Sequence, residues 1–303
     1  MAASDEPVGV VGLGNMGLAM ARTLARAGFA VAGHDARPER RDLLPPDGEP
    51  ADDLAGLCRG CSMLLLSLPS SGEVEAVVRG PGGFLASARP DTLLIDTSTA
   101  DPDSTRALAA ELAAAGHAML DAPVSGGPSG AASGQLLVMV GGPAEALERA
   151  RPVLDALARK VVHVGTAPGA GNLAKLANNL LCAAHLVTTA EAMALAARGG
   201  VDPAALLEAV NAGSGRSAVS EVNFPRWVLP DAFDSGFSMA LMRKDVALAL
   251  EVAGRLGLDP ALARHVGAIW RDSRARLADT DDFNRIVDSV WPDRPVPSRE
   301  SAP

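Results

Sequence analysis

A glycine-rich turn between an apolar run and a helical stretch constrains the fold of this chain most. Val8 to Val11 is short and apolar, the segment Gly12-Leu13-Gly14-Asn15-Met16-Gly17 follows at once, and Met16 to Ala27 has helical spacing. A strand, a tight turn and a helix in this order leave free backbone N–H groups at the helix N-terminus, where they favour an anion. The turn therefore predicts a dinucleotide-binding unit, in which the cofactor is lined by Gly12, Leu13, Gly14, Asn15 and Met16.

The second apolar run ends at an acidic residue that bears on the choice of cofactor. Asp35 lies 18 residues after Gly17, close to the roughly 20 expected for a carboxylate that binds the ribose 2′-hydroxyl. Such a carboxylate repels a 2′-phosphate, so NAD is favoured and NADP is the alternative. Arg37, with Arg40 and Arg41 behind it, could instead pair with a 2′-phosphate. We favour the interpretation that these arginines begin a solvated helix.

Short apolar runs alternate with Ala-, Leu- and Arg-rich helical segments through the first half of the chain. After Val164 no run predicts a strand, and the segment from Gly165 to Gly169 breaks both periodicities. The further strands are predicted at Phe29 to Gly33, Met63 to Leu68, Thr92 to Ile95, His117 to Leu120, Leu136 to Val140 and Val161 to Val164. Helices are predicted at Ser104 to Ala115, Ala170 to Arg198, Asp202 to Ala212, Ala240 to Leu256 and Asp259 to Arg276.

This alternation predicts an α/β Rossmann domain, a doubly wound and mainly parallel sheet, followed by an all-α domain. We expect the first domain over residues 1–165 and the helical domain over residues 166–290. Residues 291–303, rich in proline, are expected to be a disordered tail. Asp202 and Asp259, each directly before a proline, are expected to be helix N-caps.

Composition narrows the class of partner and the compartment. The 303 residues carry a formal net charge of −9, which disfavours nucleic acid and anionic membranes as partners. Three cysteines are too few and too unevenly spaced for a disulfide framework, which indicates a reducing compartment. The first residues lack the features of a signal peptide, and the longest apolar stretches, such as Met63 to Leu68, are far shorter than a membrane span. We therefore expect a soluble cytoplasmic protein.

Two further segments have the residue types of a substrate site. Ser125, Gly126 and Gly127 follow a predicted strand, and their backbone N–H groups and one hydroxyl could hold a carboxylate, although a plain turn uses the same residues. Lys175 and Asn179 are four apart, so they share one face of the long helix. Among alanines and leucines, this lysine could be desolvated and available for proton transfer, or it could be an ordinary surface lysine.

These segments together resemble the β-hydroxyacid dehydrogenase family, which includes 3-hydroxyisobutyrate dehydrogenase. The resemblance covers about Val8 to Val290. It is carried by the glycine turn, Asp96-Thr97-Ser98-Thr99, Asp121-Ala122-Pro123-Val124-Ser125-Gly126-Gly127, the helix start Gly169-x-Gly-x-x-x-Lys175-x-x-Asn-Asn179, and Lys244-Asp245. It implies that Lys175 is the catalytic acid/base and that Asn179 positions the substrate, while Ser125, Gly126 and Gly127 hold its carboxylate. It also implies that Leu68, Pro69 and Thr99 line the cofactor and that Lys244 closes over it.

The resemblance implies hydride transfer between NAD and a small 3-hydroxy acid, giving a semialdehyde or keto acid, in a homo-oligomer. An imine reductase of related fold, in which another residue usually replaces the lysine, and a non-catalytic dinucleotide-binding scaffold are the alternatives. Gln135 and Pro128 depart from the family pattern and leave the substrate open.

Two other groups of residues carry weaker signals. Cys58 and Cys61 form a C-x-x-C, but no second pair or nearby histidine completes a zinc site, so structural thiols are favoured and no metal is expected. Arg216 could face a second acidic group on the substrate, or it could be a solvated turn residue.

Overall fold

The computed structural model describes residues 6–295. By its internal contacts the chain divides into two compact units, Met1–Lys175 and Leu176–Pro303. The division falls inside a helix of 29 residues, Ala170–Arg198.

The first unit is built on one sheet, which has nine strands among the described residues. They are β1 (Val8–Val11), β2 (Val31–His34), β3 (Glu49–Pro50), β4 (Met63–Leu66), β5 (Leu93–Asp96), β6 (Ala118–Asp121), β7 (Val124–Ser125), β8 (Leu136–Gly141) and β9 (Ala158–Gly165). Strands β1 to β6 are parallel and lie in the order 3-2-1-4-5-6, which is the doubly wound arrangement. Strand β8 runs antiparallel to β6 and β7, and β9 pairs with β8 in parallel.

Helices cover both faces of this sheet. Because successive side chains of a strand point to opposite faces, Val10 and Leu65 pack in one apolar core while Val11 and Leu66 pack in another. Each core is therefore closed by helices, as a parallel sheet requires. The helices of the first unit are α1 (Asn15–Arg26), α2 (Pro38–Arg41), α3 (Leu54–Gly60), α4 (Ser71–Arg79), α5 (Phe84–Ser87), α6 (Pro102–Ala114), α7 (Gly127–Ser133) and α8 (Ala144–Leu157).

The second unit is helical over its described residues. Its core contains Phe224, Trp270 and Trp291, all at least 98% buried, and the indole of Trp270 donates to the carbonyl of Ala183 at 3.2 Å. Its elements are α9 (Ala170–Arg198), which begins in the first unit, α10 (Pro203–Ala212), a π-helix (Val219–Val228), α11 (Met239–Arg255), α12 (Ala261–Asp272) and two 3-10 helices (Ser273–Ala275 and Phe283–Ser289).

Helix α9 is long and apolar enough to cross a membrane by length and composition. A core helix of a soluble domain satisfies the same criterion, so this observation alone is weak. The expectation that the longest apolar stretches fall far short of a span is wrong for α9, because the polar residues that interrupt it do not lower its mean hydropathy below that of a span.

The fold class predicted from the sequence is confirmed, and so are the seven strands predicted from apolar runs, to within a few residues at their ends. Strands β3 and β7 were not predicted, because two-residue strands have no detectable periodicity. Strand β9 ends at Gly165 and α9 begins at Ala170, so the break between strand and helix lies where the sequence places it.

Two expectations for the second unit are wrong, and one element was not predicted. Asp202 caps α10 by accepting from the N–H of Ala205 at 2.9 Å, but the N-cap of α12 is Pro260, and Asp259 pairs with Arg264 instead. The predicted helix to Arg276 changes to a 3-10 turn after Asp272, and the π-helix was not predicted.

The expected disordered tail is wrong for its first residues. Trp291 is buried in the core, and the guanidinium of Arg294 pairs with Asp231 and Asp288. Burial of the Trp291 indole and the two ion pairs of Arg294 hold this segment against the second unit's core. The proline-rich sequence alone indicates disorder because it does not report these tertiary contacts. The remaining part of the predicted tail, residues 296–303, lies outside the described residues.

Candidate functional site

The glycine turn after β1 has the geometry that a pyrophosphate site needs. Gly12 has a φ of +88°, and a Cβ at Gly17 would lie 1.8 Å from the carbonyl oxygen of Gly12. Only glycine fits either position. Gly14 is the N-cap of α1 and brings no side chain to it, and a Cβ there would meet no described atom within 4 Å. The backbone N–H groups at the start of α1 are therefore accessible to an anion.

The carboxylate of Asp35 lies beside this turn. Its Oδ2 accepts from the N–H of Leu13 at 2.7 Å, and its Oδ1 accepts from the N–H of Arg37 at 2.9 Å. Burial opposes ionisation of this group, but the two backbone hydrogen bonds and the guanidinium of Arg37, 3.6 Å from Oδ1, hold its pKa below the usual value. A lasting negative charge therefore lies at the end of β2, next to the predicted dinucleotide.

Two of the arginines that follow Asp35, Arg37 and Arg41, differ in their contacts and therefore in their freedom to meet a ligand. Arg37 is more than half exposed and contacts the Asp35 carboxylate. Arg41 donates from Nε to the backbone carbonyl of Asp35 and from a terminal nitrogen to that of Asp52, each at 2.8 Å. Arg41 thus has a structural role, while the side chain of Arg37 can turn toward a ligand.

The ends of β4 and β5 bring the other predicted cofactor residues to the same edge of the sheet. The backbone N–H of Leu68 donates to the hydroxyl of Ser98 at 2.9 Å, which ties the segment after β4 to the segment after β5. Pro69 is exposed and Thr99 is half-buried. Because the carboxyl ends of parallel strands share one edge, these residues lie on the side of the sheet where doubly wound folds bind ligands.

The Ser-Gly-Gly segment forms β7 and the start of α7. Ser125 is half-buried, and Gly126 and Gly127 have φ values of +132° and +63°, which supports the need for glycine at both positions. Pro128 follows as a first-turn proline of α7, a position that suits its fixed φ. Gln135 is exposed and donates to the carbonyl of Gly134 at 3.2 Å.

Lys175 lies in the second turn of α9 and is 8% exposed. Surface lysines are seldom buried to this degree, so the interpretation as an ordinary surface lysine is not favoured. The start of its helix is bound by a residue from β6: the carboxylate of Asp121 accepts from the N–H groups of Gly169 and Asn172, both at 2.8 Å. Burial raises the pKa of Asp121, and these backbone hydrogen bonds oppose that rise.

In the second unit, Asn179 belongs to a buried polar cluster. Its side-chain nitrogen donates to Oδ2 of Asp245 at 2.6 Å, and Nζ of Lys244 lies 3.0 Å from Oδ1 of the same carboxylate. Asn179 and Asp245 are 4% and 2% exposed. The structure therefore brings together three polar residues from two segments 66 residues apart.

Sequence reasoning assigned no role to Asp121, Asn172 or Asp245, although all three lie inside the motifs. The available signal was a polar side chain in an apolar setting, namely an acid or amide at the end of an apolar strand or within an Ala- and Leu-rich helix.

The residues with weaker signals are not part of this site. Arg216 is exposed. Burial raises the pKa of Cys58 to about 12 and that of Cys61 to about 11, which is typical of inert structural thiols. Within residues 6–295, no group of three or more metal-ligating side chains converges.

A shallow open groove of about 380 Å³ lies elsewhere in the first unit. It is lined mainly by apolar residues of α6 and β6, such as Ala109, Ala113 and Met119, with Arg106 and His117 at the polar part. None of the predicted site residues lines this groove. The candidate site is therefore made of the residues described above, and this groove is not part of it.

Comparison with known proteins gives a consistent result. Residues 7–165 match the family model described as the NAD binding domain of 6-phosphogluconate dehydrogenase, and residues 169–290 match that of the NAD-binding of NADP-dependent 3-hydroxyisobutyrate dehydrogenase. The 3-hydroxyisobutyrate dehydrogenase of Pseudomonas aeruginosa is 41% identical over 251 residues, which cover 80% of this chain and 84% of that protein. The NAD-dependent L-serine dehydrogenase of the same organism is 41% identical over 256 residues, 82% of this chain and 85% of that protein.

A solved structure of Mycobacterium tuberculosis 3-hydroxyisobutyrate dehydrogenase with L-serine superimposes with a TM-score of 0.87 at 34% identity, over 95% of this chain and 99% of that one. These relatives are hydroxyacid dehydrogenases, so the chain is an oxidoreductase that acts on CH–OH donors with a nicotinamide dinucleotide. The two family models together cover nearly the whole chain, and relatives of this family with 41% identity cover at least 80% of it. The chain belongs to the β-hydroxyacid dehydrogenase family.

Proposed function

We propose that this enzyme transfers a hydride between NAD and a small 3-hydroxy acid of the 3-hydroxyisobutyrate type, with Lys175 as the acid/base. The observation that supports this most is the burial of Lys175 in a helix whose start is bound to the carboxyl edge of the dinucleotide-binding sheet. A lysine held in this way has little freedom to leave the site for solvent. It can therefore meet a substrate hydroxyl in a defined geometry.

The residues at the sheet edge fit a dinucleotide. The start of α1, from Gly14 to Met16, offers backbone N–H groups for a pyrophosphate, Gly12 and Leu13 shape the turn beside it, and Asp35 offers a carboxylate for the ribose. Leu68, Pro69 and Thr99 would line the nicotinamide end, and Lys244 would close over the cofactor. When bound, NAD supplies the hydride acceptor, and its reduced form supplies the donor.

The protein's own residues would handle the proton and the carboxylate. In oxidation Nζ of Lys175 accepts the hydroxyl proton, and in reduction it donates that proton to the carbonyl oxygen. Asn179, whose amide is fixed by Asp245, would orient the reacting oxygen. Ser125 and the backbone N–H groups of Gly126 and Gly127 would hold the substrate carboxylate.

The names of the relatives suggest the substrate class. 3-Hydroxyisobutyrate and L-serine, named in the matching proteins, both carry a hydroxymethyl group on the carbon next to a carboxylate. We infer that this chain takes the same hydroxymethyl acid unit, with a product semialdehyde. A panel of such acids, varied at the central carbon and assayed with NAD, identifies the preferred side chain.

The role of Lys175 is tested by substitution. Lys175→Ala should lower kcat by about 10²- to 10⁴-fold, the worth of a placed acid/base, and leave NADH binding within about twofold. Lys175→Arg should not restore the rate, since a guanidinium does not release a proton at working pH. Because only the neutral amine accepts a proton, wild-type oxidation should speed up with rising pH. If Lys175→Ala retains more than about a tenth of wild-type kcat, the assignment is wrong.

We also propose that NAD is preferred to NADP. Repulsion between the Asp35 carboxylate and a 2′-phosphate should cost about 1–3 kcal/mol, or roughly ten- to a hundredfold in kcat/KM. Asp35→Ala should lower the ratio of kcat/KM with NAD to kcat/KM with NADP, and Arg37→Ala should raise that ratio. If the wild type uses both cofactors equally, attraction of the 2′-phosphate by Arg37 offsets its repulsion by Asp35, and the proposed preference is wrong.

For the setting of the enzyme, we propose a cytoplasmic homo-oligomer without nucleic-acid or membrane partners. The domain division we propose is a cofactor domain over residues 1–165 and a helical substrate and oligomerisation domain over residues 166–290. It is supported by the break between β9 and α9.

A further inference from the structure

We propose that Asp121 and Asn172 are positioning residues that fix the start of α9 on the sheet and thereby set the place of Lys175. The inference rests on the role proposed for Lys175. It adds two residues that act through the helix backbone and do not touch the substrate.

The carboxylate of Asp121 anchors the helix through its backbone. A helix start has N–H groups without partners in the helix, and α9 has no acidic residue in its first turn. Asp121, at the end of β6 and fully buried, supplies the acceptor from 48 and 51 residues away. A Cβ at Gly141 or Gly171 would lie only 2.6 or 2.9 Å from the Asp121 carboxylate. The helix start therefore has no room to shift toward β6 or β8.

The side chain of Asn172 anchors the same turn to a second segment. It is fully buried; its oxygen accepts from the N–H of Ala100 at 3.1 Å, and its nitrogen donates to the hydroxyl of Thr105 at 2.9 Å. Ala100 directly follows Thr99, one of the proposed cofactor residues. The amide of Asn172 thus ties α9 to the segment that carries Thr99 and to α6.

Lys175 follows Asn172 by three residues, about 4.5 Å along the helix axis. Within one helical turn the backbone is rigid, so the position of Asn172 determines the position of the Lys175 Cα. An acid/base displaced by about 1 Å can lose about 10²-fold in rate. The two anchors therefore affect catalysis through distance, whereas an ordinary buried polar network affects stability alone.

Two buried threonines, Thr105 and Thr92, allow the positioning role to be separated from a contribution to stability alone. Thr105→Val removes the acceptor of the Asn172 amide and keeps the side-chain shape. Thr92→Val is the control: Thr92 is equally buried, and its hydroxyl donates to the carbonyl of Arg89 at 2.7 Å next to the amino end of β5. Thr105→Ser keeps the hydroxyl and should restore the wild-type rate. Both valine variants should lose a similar amount of Tm.

With NAD and either 3-hydroxyisobutyrate or L-serine as the probe, Thr105→Val should lower kcat by about tenfold and Asn172→Ala by more. KM for NAD should stay within about twofold, and Thr92→Val should keep the wild-type kcat. Independently of turnover, hydrogen exchange at the amides of residues 169–175 should speed up in Thr105→Val and not in Thr92→Val.

The proposal is overturned if Thr105→Val and Asn172→Ala match Thr92→Val in kcat at equal folded fraction, or if exchange over residues 169–175 is unchanged. If Lys175→Ala itself remains active, the proposed function fails whatever the threonine variants do. If Lys175→Ala is inactive while the anchor variants are normal, only the positioning role is lost.

Discussion

Both carboxylate oxygens of Asp35 are hydrogen-bonded within the protein. Its two oxygens accept from the backbone N–H groups of Leu13 and Arg37, so the same carboxylate that would bind a ribose also holds the glycine turn to the end of β2. The sequence predicted a ribose-binding acid here from its spacing. It did not predict the hydrogen bond to Leu13, because the shape of the turn decides which N–H faces the carboxylate.

This double engagement makes the stability of the protein depend on pH. The pKa of folded Asp35 lies below its usual value, so its ionised form stabilises the fold above the unfolded pKa, and that contribution is lost as pH falls through the folded pKa. Asp35→Asn should therefore lower stability by about 1–2 kcal/mol at pH 7 and by less near pH 3. Thermal melts without cofactor at both pH values measure the difference.

Asp47→Asn, the same charge change at an exposed position, serves as the control for net charge. A Tm difference for Asp35→Asn that stays constant between pH 7 and pH 3 would contradict the argument.

Residues such as Asp121 and Asn172 show the limit of prediction at this scale. Their partners lie 48 to 72 residues away, and only the folded backbone brings them together.

Helices and strands with strong local signals were predicted well. Helix α9 was predicted with its observed ends because 29 residues without proline, bounded by glycines, leave few alternatives. The π-helix, Val219–Val228, contains Pro225 and was missed. Phe224 and Val228 of this helix are buried in the core, but no local sequence spacing predicts a π-helix.

Two aspartates that precede prolines give a test of helix capping. Asp202 accepts from the N–H of Ala205 and caps α10, whereas Asp259 has no such role in α12 and forms an exposed pair with Arg264. Asp202→Ala should cost about 1 kcal/mol, and Asp259→Ala less than about 0.5 kcal/mol. Urea unfolding of the two variants provides the comparison, and equal losses would contradict the assignment of the caps.

On the scale of the molecule, the second unit exposes several large apolar side chains. Leu195, Leu258 and Leu262 are 78%, 62% and 69% exposed. Exposed apolar side chains become buried when subunits associate, so these leucines are the residues to test for the proposed oligomer. The sequence could not identify which leucines face outward, because leucine is frequent on both the buried and the exposed faces of these helices.

We therefore expect light scattering at micromolar concentration to give a multiple of the 30.8 kDa chain. The double variant Leu195→Glu, Leu262→Glu should shift the species toward a single chain. Leu43→Glu, at an exposed leucine of the first unit, should leave the mass unchanged. A wild type that runs as a single chain would remove the prediction of an oligomer.

The aromatic residues are divided unevenly between the two units. Trp227, Trp270 and Trp291 all belong to the second unit, and the chain has no tyrosine. Intrinsic fluorescence excited at the indole band is therefore a native optical label of the helical unit, while the sheet of the first unit emits nothing there. During denaturation, emission follows the loss of one unit and far-ultraviolet circular dichroism follows both. Coincident curves would mean that the two units unfold as one cooperative system, and separated curves would give the order in which they are lost.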